Sequence, residues 1–279
     1  MDRIESPQNP RIKTAAKLRS SRGRHQSERY LIDGVRESLR AIASGAPVET
    51  LIVCRELLTE ESARELQDAA ARKKIEVWDT SPMAFAKIAY GERDEGVVAI
   101  ARTQKNNLDE WPQPATGSIY LILEGIEKPG NLGAIFRTAD AVGVAGILLA
   151  STYVSPENSN AIRASLGTVF SVPYVMTETP AAIQWLQKHD LRPFAARVQA
   201  SHEYWDVSYF SQQERAPVVI ALGSEATGLT ADWQVPSIPG IRIPQAGIAD
   251  SLNLSVAAGI LLYEVARQRR IQMPTISHD

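Results

Sequence analysis

The sequence predicts an α/β protein built from two domains. Three observations carry this. Apolar runs of strand length alternate with stretches of helical periodicity along the chain. Residues 103–116 interrupt the alternation with a polar segment holding two prolines. Beyond that break the strand segments become continuously apolar, as in a parallel sheet covered on both faces. At 279 residues, 44% hydrophobic and 22% charged, the chain is long enough for two cores.

The first segment reads as a small α/β module. Residues 10–21 place Ile12, Ala15, Ala16 and Leu18 on one helical face. A short strand at 30–32 is followed by Asp33, an expected N-cap for a helix over 34–44 that Gly45 stops. A strand at 51–54, a charged amphipathic helix at 59–74, a strand at 75–78, a short helix opening at Ser81-Pro82 and a strand at 96–101 complete the module. Domain one is thus expected over 1–105, a linker over 106–117 and domain two over 118–279. In domain two, strands are expected at 118–123, 146–150, 191–195, 217–222 and 240–243. Helices are expected at 131–142, 161–167, 180–189 and 252–270. The last helix is apolar on more than one face, through residues such as Val256, Ile260, Leu261, Leu262, Tyr263 and Val265, so one strip calls for a second partner.

Composition excludes several classes. Net charge is −2 and the pI is near 6.1, so no uniformly basic surface exists. The apolar stretches 142–150 and 256–263 are too short to cross a bilayer, and residues 1–10 lack the apolar core of a signal peptide. Cys54 is the sole cysteine, and His25, His189, His202 and His278 are scattered, so neither a disulfide nor a metal site is expected. A cytoplasmic location fits. Charge is uneven, however. Residues 1–30 carry Arg3, Arg11, Lys13, Lys17, Arg19, Arg22, Arg24 and Arg29 against Asp2, Glu5 and Glu28, an excess suited to phosphates or simply to a solvated helix face.

Three loops at strand ends concentrate polar chemistry. The first runs from Leu123 through Gly125, Pro129, Gly130 and Asn131 to Gly133, and leads into a helix carrying Arg137. By itself it could be a tight turn capped by Asn131. The second, 222–229, sets Glu225 between Gly223 and Gly228 at the carboxyl end of an apolar strand, where α/β sheets bind ligands. The third, 243–257, gathers Asp250, Ser251, Asn253 and Ser255 at a helix start, more polar groups than one cap requires. There is no GxGxxG fingerprint and no lysine-serine phosphate loop, which argues against a dinucleotide-binding oxidoreductase.

Together these segments resemble the three motifs of the SpoU branch of the SPOUT RNA methyltransferases. Asn131-Leu132-Gly133-Ala134-Ile135-Phe136-Arg137 resembles the first, Gly223, Glu225 and Gly228 the second, and Ile243-Pro244 with Ser251-Leu252-Asn253-Leu254-Ser255 the third. The similarity covers about residues 118–270. Residues 9–13 and 30–36 are similar, more loosely, to the ribosomal-protein-like substrate-binding domain often attached to this family, with Asp33 where relatives usually have Glu.

The resemblance implies a deep C-terminal trefoil knot in which S-adenosylmethionine binds, a homodimer, and methyl transfer to a ribose 2′-hydroxyl of structured RNA. Ribosomal RNA is the expected substrate and transfer RNA the alternative. It puts Leu222, Gly223, Gly228, Ile243 and Leu252 at the cofactor. It assigns catalysis to Arg137, with Asn131, Glu225, Ser251 and Asn253 orienting arginine, ribose or cofactor. No metal and no membrane is involved. Arg11, Lys13, Lys17, Arg19, Arg22 and Arg24 are the expected RNA contacts, and a fragment 118–279 is expected to bind cofactor alone. A non-catalytic RNA-binding protein is the remaining rival, and the retained polar motif residues argue against it.

Overall fold

The computed structural model describes residues 3–90, 95–111, 113–210, 216–235 and 237–272; Pro112 of the expected linker and His278 lie outside them. Contacts divide the chain into two units, Met1–Gln104 with Pro156–Ser171, and Lys105–Ser155 with Val172–Asp279.

Unit one opens with α1 (Pro10–Lys17), started by Pro10 and by the Asn9 side chain, which accepts from the Arg11 amide at 2.9 Å. The helix expected over 10–21 is in fact two. Ser20 accepts from Gly23 N at 3.0 Å and caps a separate α2 (Ser21–Ser27). There follow β1 (Arg29–Asp33), α3 (Val35–Ser44), β2 (Val48–Val53), α4 (Glu60–Lys73), β3 (Glu76–Asp79), α5 (Pro82–Ala86) and β4 (Val97–Arg102). The strands form one sheet in the order β1-β4-β2-β3, with only β2 and β3 parallel. Ile12, Ala15, Leu18, Leu31, Ile52, Phe85 and Val98 share its core. Asp33 is not a cap. Gly34 occupies the cap position of α3 without any side-chain bond, and the Asp33 carboxylate instead accepts from Arg19.

Unit two begins with the segment expected to be a linker. Its first half is anchored: Leu108 and Trp111 pack on a core with Tyr120, Trp185 and Trp233. Gly146 leaves room for the Trp111 ring, which a Cβ there would meet at 2.3 Å. The chain runs on through β5 (Ile119–Glu124), α6 (Pro129–Val142) and β6 (Gly146–Ala150). It then leaves for unit one, where α7 (Ser159–Ala164) and the short 3₁₀ turn Thr168–Phe170 are built in. Arg40 donates to the Leu166 carbonyl at 2.7 Å, and Arg163 lies over the Tyr90 ring at 5.7 Å. Helical periodicity placed this stretch correctly as a helix but not in its proper core, because an apolar face does not name its partner.

Back in unit two, β7 (Tyr174–Thr177), α8 (Thr179–Lys188), β8 (Pro193–Ala196), β9 (His202–Glu203), β10 (Val218–Leu222), β11 (Gly240–Arg242) and α9 (Leu254–Gln272) follow. Seven strands form one parallel sheet in the order β7-β6-β5-β10-β8-β11-β9. Strands β5, β6 and β10 are buried at every residue, as coverage of both faces requires. The two strands absent from the sequence expectation are the sheet's edges. β7 is four residues long directly after Pro173 and β9 is two residues long, so neither gives a long strand signal. Helices α6 and α9 pack on each other, with Gly259 close to Thr138.

Candidate active site

In a parallel sheet all strands point the same way, so their carboxyl ends form one edge. The loops following β5, β10 and β11 are the three polar loops singled out in the sequence, and Leu222 pairs with Leu123 across the sheet. Three motifs scattered over more than a hundred residues thereby meet.

Helix α6 starts at Pro129 with Lys128 in the cap position, so Asn131 lies in its first turn and is not its cap. Its side chain is used elsewhere. Asn131 Nδ2 donates to Glu225 Oε1, and Asn131 Oδ1 accepts from Asn253 Nδ2 at 3.1 Å. Asn253 also serves its own helix. Its Oδ1 accepts from the Ser255 amide at 2.9 Å and the Ser255 hydroxyl at 2.6 Å, which caps α9. One residue from each motif is thus joined in a single chain of hydrogen bonds. A bond from an amide to a carboxylate contributes about 1.5–3 kcal/mol, so Glu225 is the stronger anchor.

The loop of the second motif is a tight fold-back. Gly228 N donates to Ser224 O at 3.0 Å, and Thr227 N donates to the Ser224 hydroxyl at 3.1 Å. A Cβ on Gly223 would lie 2.0 Å from the Gly228 carbonyl carbon, and Gly228 has φ +68°, so the loop itself demands both glycines. Leu222 is buried, leaving only its backbone for a ligand. Ile243 is half-buried, and residues 245–253 are exposed, including Leu252 at 37%. Apolar side chains and unshielded backbone beside a sheet edge suit an adenosyl group, so the residues expected at the cofactor fit it. Ser251 and Arg137 are exposed, and neither makes a side-chain hydrogen bond or ion pair among the described residues. No group of metal-ligating side chains occurs among the described residues, and none of their helices is long and apolar enough to cross a membrane.

The six cations expected to contact RNA differ in availability. Lys13, Lys17 and Arg22 are exposed and uncommitted among the described residues. Arg11 stacks over Trp78 at 5.2 Å and lies 3.8 Å from Glu76. Arg24 donates to the Leu18 and Arg19 carbonyls. Arg19 is removed from the set: it pairs with Asp33 through both nitrogens, donates to the Ile88 carbonyl, and its side chain is 19% exposed.

One group escaped sequence reasoning. Glu124, the last residue of β5, is 3% exposed and accepts from Thr179 Oγ1 at 2.6 Å, Thr230 N at 2.8 Å and Thr230 Oγ1 at 3.0 Å. An acid closing an otherwise apolar strand was the available signal.

Residues 118–263 match the model of the SpoU rRNA Methylase family, and residues 9–99 match that of the MRM3-like substrate binding domain. An uncharacterized tRNA/rRNA methyltransferase of Synechocystis is 30% identical over 95% of this chain and 94% of its own length. The 23S rRNA (uridine(2479)-2′-O)-methyltransferase of Streptomyces viridochromogenes is 29% identical over 88% of this chain and 85% of its own. The AdoMet-bound rRNA methyltransferase of Sinorhizobium meliloti superposes with a TM-score of 0.85 at 28% identity, covering 98% of this chain and 99% of the other.

Proposed function

The chain belongs to the SpoU rRNA methylase family, and on that premise we propose that it transfers a methyl group from S-adenosylmethionine to a ribose 2′-hydroxyl of ribosomal RNA. The observation that carries this reading is the hydrogen-bonded chain Glu225–Asn131–Asn253 at the sheet edge. The relative of known target named above is a 23S rRNA 2′-O-methyltransferase, which favours ribosomal over transfer RNA.

Bound S-adenosylmethionine supplies a methyl group already made electrophilic by its sulfonium. The protein's share is orientation and charge. Holding reactants in line contributes about 7–11 kcal/mol of barrier reduction. Asn131, Glu225 and Asn253 fix the floor of the site, and the Ser251 hydroxyl is available to ribose or cofactor. A guanidinium is a poor base, so Arg137 serves as a fixed cation. It lowers the energy of the developing alkoxide and aligns the neighbouring phosphate. Leu222 and Gly223 offer backbone, and Ile243 and Leu252 offer apolar surface, to the adenosyl group.

The same reading assigns RNA recognition to unit one. It makes the protein a homodimer through the outer face of α9, with Val256 50% and Tyr263 58% exposed in the single chain. It includes the knotted C-terminal path expected of the family, and the cytoplasm as the place of action. Incubating the protein with methyl-labelled S-adenosylmethionine and unmodified ribosomal or transfer RNA, then mapping 2′-O-methyl positions, tests it. Label on a ribose of ribosomal RNA is the expected result; label on a base, or none, defeats the proposal.

A further inference from the structure

Glu124 stands outside the motifs. It is nearly fully buried, and its carboxylate has no cationic partner among the described residues. Taking an unpaired carboxylate out of water is expensive unless several donors replace the lost hydration. Three do. The Thr230 backbone N–H can only donate, which fixes Oε2 as its acceptor at 2.8 Å. The Thr179 and Thr230 hydroxyls converge on Oε1 at 2.6 and 3.0 Å.

These partners hold two loops to the end of β5. Thr179 begins α8, where its amide also donates to the Ser151 hydroxyl at 3.1 Å. Thr230 is the exit of the Gly223–Gly228 loop and leads to Trp233, which is fully buried. On the other side of Glu124 the backbone turns through Gly125, whose amide donates to Ala150 O at 3.0 Å, and enters α6 with Asn131. The loops after β5 and β10 are therefore tied twice, at their base by Glu124–Thr230 and at their tip by Asn131–Glu225.

We propose that Glu124 is a positioning residue, whose buried carboxylate fixes the exit of the Gly223–Gly228 loop and thereby aims Glu225 at Asn131. The catalytic part of this inference rests on the methyl-transfer reading above.

The test compares Glu124→Ala, Glu124→Gln, Thr230→Val and Glu225→Gln in the full chain. Misplacing a catalytic frame by an ångström slows reactions by up to about 100-fold, so Glu124→Ala should lower kcat by about 10- to 100-fold with KM for RNA held within about threefold. Glu124→Gln should recover most of kcat, because its oxygen can still accept from Thr230 N while the two hydroxyls turn to accept from its amide. Combining Glu124→Ala with Glu225→Gln should add little to the slower single variant. Amide exchange over 223–230 should rise in Glu124→Ala while that of α6 stays unchanged. Should Glu124→Ala prove insoluble, Thr230→Val removes one hydroxyl donor, and a several-fold loss of kcat with faster loop exchange is expected. Wild-type kcat in Glu124→Ala or Thr230→Val, full additivity with Glu225→Gln, or unchanged loop exchange each overturns the proposal. If the wild-type chain methylates no ribose, the functional reading fails by itself, and the exchange of 223–230 still decides the role of Glu124.

Discussion

The side-chain amide of Asn253 donates to Asn131 Oδ1 at 3.1 Å, across 122 residues of chain. Since that oxygen is taken, the Asn131 amide nitrogen must face Glu225, and the carboxylate acceptor agrees. The asparagine is thus fixed in both rotamer and flip by residues from two other loops. Arg137, on the same helix, is held by none of them. An exposed cation with no side-chain partner among the described residues is available to a substrate.

Replacing Arg137 by Ala should abolish nearly all methyl transfer while S-adenosylmethionine affinity, measured by calorimetry, stays within about threefold, because only transition-state contacts are lost. Arg137→Lys should restore little, since the planar guanidinium fork is missing. An active Arg137→Ala enzyme would remove the arginine from the mechanism.

The basic segment divides into two kinds of residue. Exchanging Lys13, Lys17 and Arg22 for Glu should weaken RNA binding and flatten its dependence on salt, each lost phosphate contact reducing the logarithmic slope by about 0.7–0.9. Arg19→Ala should act differently, lowering stability by about 3 kcal/mol by stranding the Asp33 carboxylate. Chemical denaturation and binding titrations at several salt concentrations separate the two. Unaltered RNA affinity in the triple variant returns these cations to a solvated surface.

Neighbouring residues of α9 should respond oppositely to charge. Leu262 is fully buried within the chain, whereas Tyr263 is 58% exposed. Leu262→Glu is expected to yield unfolded or insoluble protein. Tyr263→Glu should fold and shift light scattering from dimer to monomer, because a charge near a two-fold axis faces its own copy. A folded wild-type monomer at micromolar concentration defeats the assignment of this face.

Burial holds the Glu157 carboxyl above its ordinary range, with partial relief from the Thr103 hydroxyl at 2.8 Å, the Gln104 backbone and the charge of Arg24. A carboxyl raised by folding binds more protons in the folded than in the unfolded chain between its ordinary and its folded pKa. Stability therefore falls as pH rises through that window, and the loss persists at neutral pH. Glu157→Gln keeps an acceptor for Thr103 and removes the charge, so Tm should rise by about 3 °C near pH 7. Below the carboxylate range the gain should vanish. Identical melting curves near neutrality would count against a charged, buried Glu157.

The sequence carried the site further than it carried the packing. Asn131, Glu225 and Asn253 were legible because each belongs to a short motif near a strand end, and the three motifs together resemble those of a known family. Glu124 was not, since its partners Thr179 and Thr230 lie 55 and 106 residues away. Arg19 looked like one more surface cation because Asp33, its partner, was assigned to cap the next helix. Leu262 and Tyr263 could not be told apart by an apolar pattern that covers more than one face.

The chain crosses between its two units three times, after Gln104, Ser155 and Ser171. Ala161 and Ile162 are fully buried in unit one, and Val169 is 3% exposed there. A cut at residue 118 would leave these side chains without their core, so the expectation that 118–279 behaves as an independent fragment acquires a cost in solubility. The order of synthesis is affected as well. Residues 156–171, which complete unit one, are made only after β5, α6 and β6 of unit two. The two units are therefore interleaved along the chain, and a recombination that swapped one of them would need three matched junctions where a tandem protein needs one.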